Sequence, residues 1–215
     1  MGVLANWAEA AACLFFPHHC AGCGTDRLDK QTEICLRCLH HLPHTHFTTQ
    51  VDNPVEKIFW GRTRVQAATS LFFYSQDSIL QELLHQLKYR GNQELGIQLG
   101  SFLGTALKNT SRFPVDVLVP VPLHPSKEKS RGFNQATLIC QGIAAVTGLP
   151  VCTTLLRKNT ERSTQTKKNR AERLENMVGI FEATPPDQSK YKNILLVDDV
   201  ITTGATLEAC GQALL

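Results

Sequence analysis

The sequence has no long hydrophobic run, no strong net charge and no repeated or low-complexity segment. A membrane-spanning helix needs about 20 consecutive apolar residues, and no stretch of the chain reaches that length. A formal net charge of +3 at pH 7 does not by itself indicate nucleic-acid binding. The N-terminus lacks the basic start of a signal peptide and contains Glu9, so we expect a short helix of the mature protein and a cytoplasmic location.

The composition is that of a globular chain, and its 42% of hydrophobic residues are enough to build a core. A length of 215 residues allows one α/β domain of about 150 residues and a smaller module. The composition changes near residue 50, before which lie five of the eight cysteines and six of the eight histidines. We therefore predict a small module over residues 1–50, with an N-terminal helix, and a larger domain over residues 51–215.

Four of the cysteines form two Cys-x-x-Cys pairs, Cys20 with Cys23 and Cys35 with Cys38. Each pair can present two thiolates to one ion, and two pairs complete a tetrahedral site. Disulfides are rare in a cytoplasmic protein, and a thioredoxin-like site needs a single pair beside a βαβ unit. The spacing therefore predicts a structural zinc site with four cysteine ligands, although the neighbouring histidines are an alternative source of ligands.

After residue 50 the chain alternates strand and helix patterns. Strands are predicted at 65–74, 115–119, 151–156, 178–182 and 194–197, and helices at 78–89, 95–108, 134–146, 171–177 and 205–214. A loop is expected between 120 and 132. The run at 194–197 is apolar without alternation, as in a strand covered on both faces. This order of elements predicts an α/β fold with a mostly parallel sheet.

The segment after that strand combines two acids with a threonine-rich turn, and its key residues are Asp198, Asp199, Thr202, Thr203, Gly204, Ala205 and Thr206. Open α/β sheets bind ligands at the carboxyl ends of their strands. Two adjacent carboxylates repel each other there unless ribose hydroxyls or a nearby Mg²⁺ engage them. The turn offers hydroxyls, a glycine and a helix start, which suit a phosphate. The acid pair alone fits a solvated turn, and the threonine-rich turn alone fits ordinary helix capping. Together they predict a sugar-phosphate site.

This segment resembles the phosphoribosyl pyrophosphate fingerprint of type I phosphoribosyltransferases. Other segments resemble the ComF family of competence-associated, phosphoribosyltransferase-like proteins. They are Val-Pro-Val-Pro-Leu-His at 119–124, Arg-Gly-Phe-Asn-Gln at 131–135, Leu-Lys-Tyr-Arg-Gly at 87–91, the paired cysteines, and the stretch from Gln165 and Arg170 to Asn176 and Gly179. The resemblance extends from about residue 16 to the end of the chain.

The resemblance implies a type I phosphoribosyltransferase-like fold behind a small zinc module, and a role in DNA uptake during natural transformation. It implies that Asp198 and Asp199 take the ribose 2- and 3-hydroxyls and act in catalysis, and that residues 202–206 take the 5-phosphate. Residues Val119 to Leu123, which include Pro120 and Val121, fall where related proteins place the turn that binds pyrophosphate with Mg²⁺. Arg131 is a further candidate there. Relatives continue into at least one more strand, so either the sequence is truncated or its sheet is one strand short.

Two basic loops leave a second function open. The first, residues 157–173, carries seven basic residues against two acids, and the second, residues 123–133, carries three against one. Their cations either neutralise a pyrophosphate leaving group, or form a track for single-stranded DNA, or are simply solvated. Phe133 is the only aromatic residue in these loops, and DNA tracks usually contain several. The alternatives are a phosphoribosyltransferase with an unknown acceptor and a non-catalytic, DNA-binding or regulatory component that acts with competence proteins.

Overall fold

The structure is a computed structural model that describes residues 18–29, 31–159, 179–184 and 191–215. The predicted N-terminal helix, the predicted helix at 171–177 and most of the first basic loop lie outside the described residues. None of the described helices is long and apolar enough to cross a membrane.

The described ranges contain both helices and strands, in an order that follows most of the predicted pattern. The helices are α1 (Leu36–His40), α2 (Pro54–Phe59), α3 (Ile79–Tyr89), α4 (Gln93–Lys108), α5 (Pro125–Arg131), α6 (Gln135–Thr147) and α7 (Ala205–Leu214). The strands are β1 (Val117–Pro120), β2 (Leu156–Lys158), β3 (Phe181–Ala183) and β4 (Ile194–Val197).

Strand β1 is the centre of a small parallel sheet. It pairs in parallel with β4, and Pro120 lies opposite Val197. On its other side Leu118 forms a parallel bridge with Val151, and all four residues of β1 are buried. Strands β2 and β3 form a separate antiparallel pair. The structure is therefore a mixed α/β fold with a small parallel sheet, which confirms the predicted class only at this coarser level.

Strand β4 is less covered than its sequence predicted. Of its four residues only Val197 is buried, and the other three are half-buried. In the described part of the chain its second edge has no strand partner. An open cavity of about 1330 Å³ lies there, bordered by residues 63–74. The prediction of cover on both faces is wrong for β4. Of the four described strands, only β1 is fully buried.

Three further predictions differ from the structure. The predicted strand at 151–156 makes a single bridge, at Val151, and only its last residue belongs to a strand, β2. The predicted strand at 65–74 makes only a single bridge, between Phe72 and His44, because a strand needs a neighbour and this segment meets one at a single point. The predicted loop at 120–132 contains α5. Pro125 suits the first turn of that helix, His124 caps it by accepting from the N–H of Ser126, and Gly132 ends it with a φ of 82°.

Helix α3 joins the cysteine-rich segment to the rest of the molecule. It buries Leu80, Leu83, Leu84 and Leu87, and these leucines share one hydrophobic cluster with three cysteines of the predicted zinc site. Helices α4 and α6 pack against each other closely enough that a Cβ on Gly100 would lie 2.1 Å from the carbonyl oxygen of Ile139. The predicted boundary at residue 50 stays a prediction, since this cluster extends across it.

Candidate ligand site and cysteine cluster

The predicted acid pair and the predicted pyrophosphate turn lie at the same edge of the sheet. The N–H of Val121, just after β1, donates to the carbonyl oxygen of Val197 at 2.9 Å, and Asp198 follows Val197 directly. The side-chain amide of Asn134 donates to the carbonyl oxygen of Val121 at 3.0 Å and holds the turn in place. The parallel pairing of β1 with β4 thus brings two separate sequence segments together, because it aligns their carboxyl ends.

The acid pair is partly removed from water. Burial, and then the charge of Asp199, raise the pKa of Asp198 to about 6, although Lys88 and Lys158 act in the opposite direction. The Oδ1 atom of Asp198 accepts a hydrogen bond from the N–H of Asp199 at 2.8 Å. Two neighbouring carboxylates in this environment form a strong acceptor for hydroxyl or cationic groups.

Two lysines approach the pair from different parts of the chain. The Nζ atom of Lys88, in the last turn of α3, lies 2.6 Å from Oδ2 of Asp199. Lys158, at the end of β2, is half-buried over the ring of Phe181, and burial followed by repulsion from Lys127 lowers its pKa. Attraction to Asp198 opposes that shift. Sequence reasoning placed Lys127 and Lys158 in basic loops but assigned no role to Lys88.

The threonine-rich turn ends in an uncapped helix start. Gly204 is the N-cap of α7, and no side chain caps this end. Among the described residues no partner accepts from the N–H groups of Ala205 and Thr206. Thr202, Thr203 and Thr206 are exposed. Three hydroxyls and free backbone N–H groups are therefore available to an anion at the positive end of a helix.

Arg62 fixes the outer side of this turn, and sequence reasoning missed it. Its guanidinium donates to the carbonyl oxygen of Thr203 at 2.8 Å and forms an ion pair with Glu208 of α7. No local pattern could have identified the contact, because the two residues lie 141 positions apart. Gly204 has a φ of 73°, and a Cβ there would lie 2.6 Å from Ile58 in α2. The glycine therefore allows α2 to pack closely against the turn. Its close approach to a phosphate stays a prediction.

Arg131, the other candidate for pyrophosphate, lies at the end of α5. Its guanidinium stands 5.4 Å from the ring centre of Tyr89 and donates to Oε1 of Gln135 at 2.8 Å. Gln135 is 2% exposed, and its Nε2 atom has no hydrogen-bond partner among the described residues. Phe133 is half-buried and packs against the core cluster that contains α3. The contacts of Arg131 are thus with α3 and α6.

The four cysteines of the two pairs form one cluster, as the spacing predicted. Their sulfur atoms all lie within 4.8 Å of one another, and those of Cys23 and Cys35 are 3.7 Å apart. Sulfurs around a tetrahedral zinc ion, with bonds of about 2.3 Å, lie about 3.8 Å apart. Burial raises the pKa of Cys20. Hydrogen bonds from the backbone N–H groups of Cys35, Cys23 and Gly22 together have a larger, opposite effect and lower the pKa to about 7. The donor set fits a metal ion, and the group includes no histidine among the described residues.

These features define a class of protein in which an acid pair and a threonine turn follow a parallel strand, with a Cys₄ cluster ahead of them. The chain is similar to curated relatives that cover most of its length. It is 34% identical over 161 residues to "Competence protein ComFC" of Bacillus subtilis, 28% over 205 residues to "Competence protein F" of Haemophilus influenzae and 31% over 137 residues to "DNA utilization protein YhgH" of Salmonella typhimurium. These relatives support the assignment to the ComF family that the resemblance predicted.

The three alignments cover 72%, 93% and 62% of this chain. They cover 62%, 79% and 60% of the relatives, so the chain spans less than two thirds of the Bacillus and Salmonella proteins. No family model matches the chain, and no solved structure matches it.

Proposed function

We propose that this protein binds phosphoribosyl pyrophosphate, with Mg²⁺, at the edge of the sheet where β1 and β4 end. The observation that supports this most is the direct succession of a partly desolvated acid pair, exposed threonines and an uncapped helix start. A solvated turn would not raise the pKa of Asp198, and an ordinary capped helix would have its first N–H groups occupied.

Each part of the ligand has a matching group in this proposal. The carboxylates of Asp198 and Asp199 accept hydrogen bonds from the ribose 2- and 3-hydroxyls. The free N–H groups and hydroxyls of residues 202–206 hold the 5-phosphate, which favours the positive end of α7. The turn at Pro120 and Val121 faces the pyrophosphate, and bound Mg²⁺ neutralises part of its charge.

The same arrangement suits phosphoribosyl transfer. As the bond between C1 and the pyrophosphate breaks, positive charge develops on the ribose, and the ionised acid pair stabilises it. Lysine side chains beside the pair stabilise the negative charge on the departing pyrophosphate. Among the described residues no group identifies a nucleobase, so the acceptor is left open.

We further propose that the protein acts with the competence machinery and takes part in DNA uptake, from the names of its relatives. The Cys₄ cluster holds zinc, which in this proposal stabilises the N-terminal module and presents it to a partner. A cytoplasmic location agrees with both roles.

The test is calorimetric titration with phosphoribosyl pyrophosphate and Mg²⁺. The wild type should bind, and Asp198→Asn with Asp199→Asn should weaken binding at least about 10-fold, because each change removes a charged hydrogen-bond acceptor. Zinc content should not change. Asp52→Asn with Asp77→Asn is the matched control, since both residues are exposed and the change removes the same total charge. Binding that survives the first pair of changes would contradict the proposal.

The alternative, a module that binds DNA without catalysis, is separated in the same experiment. Nucleobases are added with the ligand, and released pyrophosphate is measured. Single-stranded DNA is then titrated at two salt concentrations. Pyrophosphate release supports the transferase, whereas salt-sensitive DNA binding without ligand binding supports the alternative.

A further inference from the structure

The last turn of α3 contacts the candidate site, although neither the acid pair nor the threonine turn belongs to it. Lys88 places Nζ 2.6 Å from Oδ2 of Asp199, and the two side chains are only 23% and 15% exposed. Tyr89, the next residue, lies under the guanidinium of Arg131. The helix is anchored from behind, because Leu87 is fully buried in the core cluster.

The position of α3 is also fixed from the side of the cysteine cluster. The carboxylate of Glu33 accepts a hydrogen bond from the side-chain amide of Asn92 at 2.7 Å, and Asn92 caps α4 immediately after α3 ends. A Cβ on Gly22 would lie 3.1 Å from Ile79 at the start of α3. Lys88 therefore projects from a helix that is held at both ends, which favours a defined position for its ammonium group over a mobile one.

The chemistry of the proposed ligand places a second anion beside this ammonium group. In the proposed function the acid pair accepts a hydrogen bond from the ribose 2-hydroxyl. This hydroxyl is on the carbon next to C1, and C1 carries the diphosphate. In the proposed binding mode, a cation bonded to Asp199 therefore lies near the diphosphate of the same ligand. An ammonium group has three donors, so it can contact a carboxylate and a phosphate oxygen together.

We propose that Lys88 is a ligand-binding residue that holds the 1-diphosphate and so distinguishes phosphoribosyl pyrophosphate from ribose 5-phosphate. This inference rests on the proposed function. In the ligand-free protein Lys88 neutralises Asp199, and with ligand bound it bridges Asp199 and the diphosphate. The residue lies outside the turn at Pro120 and Val121 and adds a positive charge, which the turn itself does not carry.

A purely structural role for Lys88 makes a different prediction. If the lysine only neutralises and positions Asp199, its loss weakens every ligand that uses the ribose hydroxyls, with or without a diphosphate. If the lysine contacts the diphosphate, its loss weakens mainly the binding of ligands that carry a diphosphate. The ratio of the two affinities therefore separates the roles, and it does not depend on how much overall stability the substitution costs.

The experiment compares wild type, Lys88→Met and Lys108→Met by calorimetry with Mg²⁺ and either phosphoribosyl pyrophosphate or ribose 5-phosphate. Lys108 is the matched control, because it is an exposed lysine in the last turn of the neighbouring helix α4. We expect Lys88→Met to weaken the binding of phosphoribosyl pyrophosphate about 10- to 100-fold, which corresponds to the loss of one hydrogen bond to a charged group. The binding of ribose 5-phosphate should weaken less than about 3-fold. Lys108→Met should change neither affinity.

Each remaining outcome overturns a different statement. Equal weakening of both ligands, or no weakening of either, overturns the role of Lys88 while the proposed function stands. A wild type that binds neither ligand overturns the proposed function and this inference with it. Thermal unfolding of each variant shows whether it is folded, and Lys88→Arg provides a second variant that keeps the charge. Lys88→Met should reduce the difference in binding free energy between the two ligands, and Lys88→Arg should restore more than half of that reduction. If Lys88→Arg restores none of it, the result counts against a contact made through charge.

Discussion

Replacing Asp198 by asparagine should stabilise the ligand-free protein at neutral pH, although the residue lies in the candidate site. Asparagine keeps the Oδ1 acceptor that binds the N–H of Asp199 at 2.8 Å. It removes the charge that is partly desolvated and repelled by Asp199. A residue selected for binding a ligand and not for folding is expected to behave in this way.

The magnitude follows from the pKa of Asp198, which burial and then the Asp199 charge raise from 3.8 to about 6. Below pH 3.8 the carboxyl is protonated in both the folded and the unfolded chain, so it carries no cost. Between pH 3.8 and 6 the unfolded chain releases the proton first, and folding stability falls as pH rises. Above pH 6 the loss of folding stability is constant at about 3 kcal/mol. This is an upper value, because Asp198 is only half-buried and water screens part of the effect.

Urea denaturation of wild type and Asp198→Asn at pH 5 and pH 7.5 measures this difference. We expect the variant to be more stable by up to about 3 kcal/mol at pH 7.5 and by about half as much at pH 5. Asp199→Asn should gain less, since it leaves Lys88 without its partner. A variant that is less stable than wild type at pH 7.5, or whose gain does not shrink at pH 5, would refute the argument.

Three further changes test the surroundings of the site. In urea denaturation, Gly204→Ala should destabilise the protein by at least about 1 kcal/mol more than Gly61→Ala. Both glycines have a φ near 70°, but only a Cβ at Gly204 would meet another side chain, that of Ile58. Equal losses of stability would contradict the packing argument. Arg62→Ala should weaken ligand binding several-fold through loss of its bond to Thr203, whereas the exposed Arg64→Ala should not, as measured by calorimetry. Cys35→Ser should remove bound zinc and lower the melting temperature, and Cys152→Ser should retain the metal; elemental analysis of both variants decides this.

The longer helices α3, α4, α6 and α7 and the strands β1 and β4 could be predicted from the sequence, because each depends on a local pattern. Helix α3 has leucines at helical spacing and a serine cap at Ser78, and the structure confirms it within one residue. The four cysteines were also predictable, since the spacing within each pair alone brings two sulfurs to one ion. The acid pair follows β4 in the chain itself, so its place at a strand end needed no tertiary information.

The sequence could not show which distant segments meet. The contact of Lys88 with Asp199 and the bond from Arg62 to Thr203 each join residues more than a hundred positions apart. The burial of β4 was predicted wrongly for a similar reason, because an apolar run indicates that a strand can be covered but not which distant segments pack against its faces. Residues 65–74 have the composition of a strand and meet a partner only at Phe72.

The physical cost of the acid pair distinguishes the two explanations that the sequence left open. A solvated turn keeps its carboxylates in water, where their pKa values are ordinary and replacing one of them changes stability little. A ligand site instead holds them away from water before the ligand arrives, and the ligand-free protein bears the cost as lost stability. The raised pKa of Asp198, together with the exposed threonines and the uncapped start of α7, agrees with the second explanation. Because that cost exists without any ligand, the stability of Asp198→Asn tests the site even while its acceptor substrate is unknown.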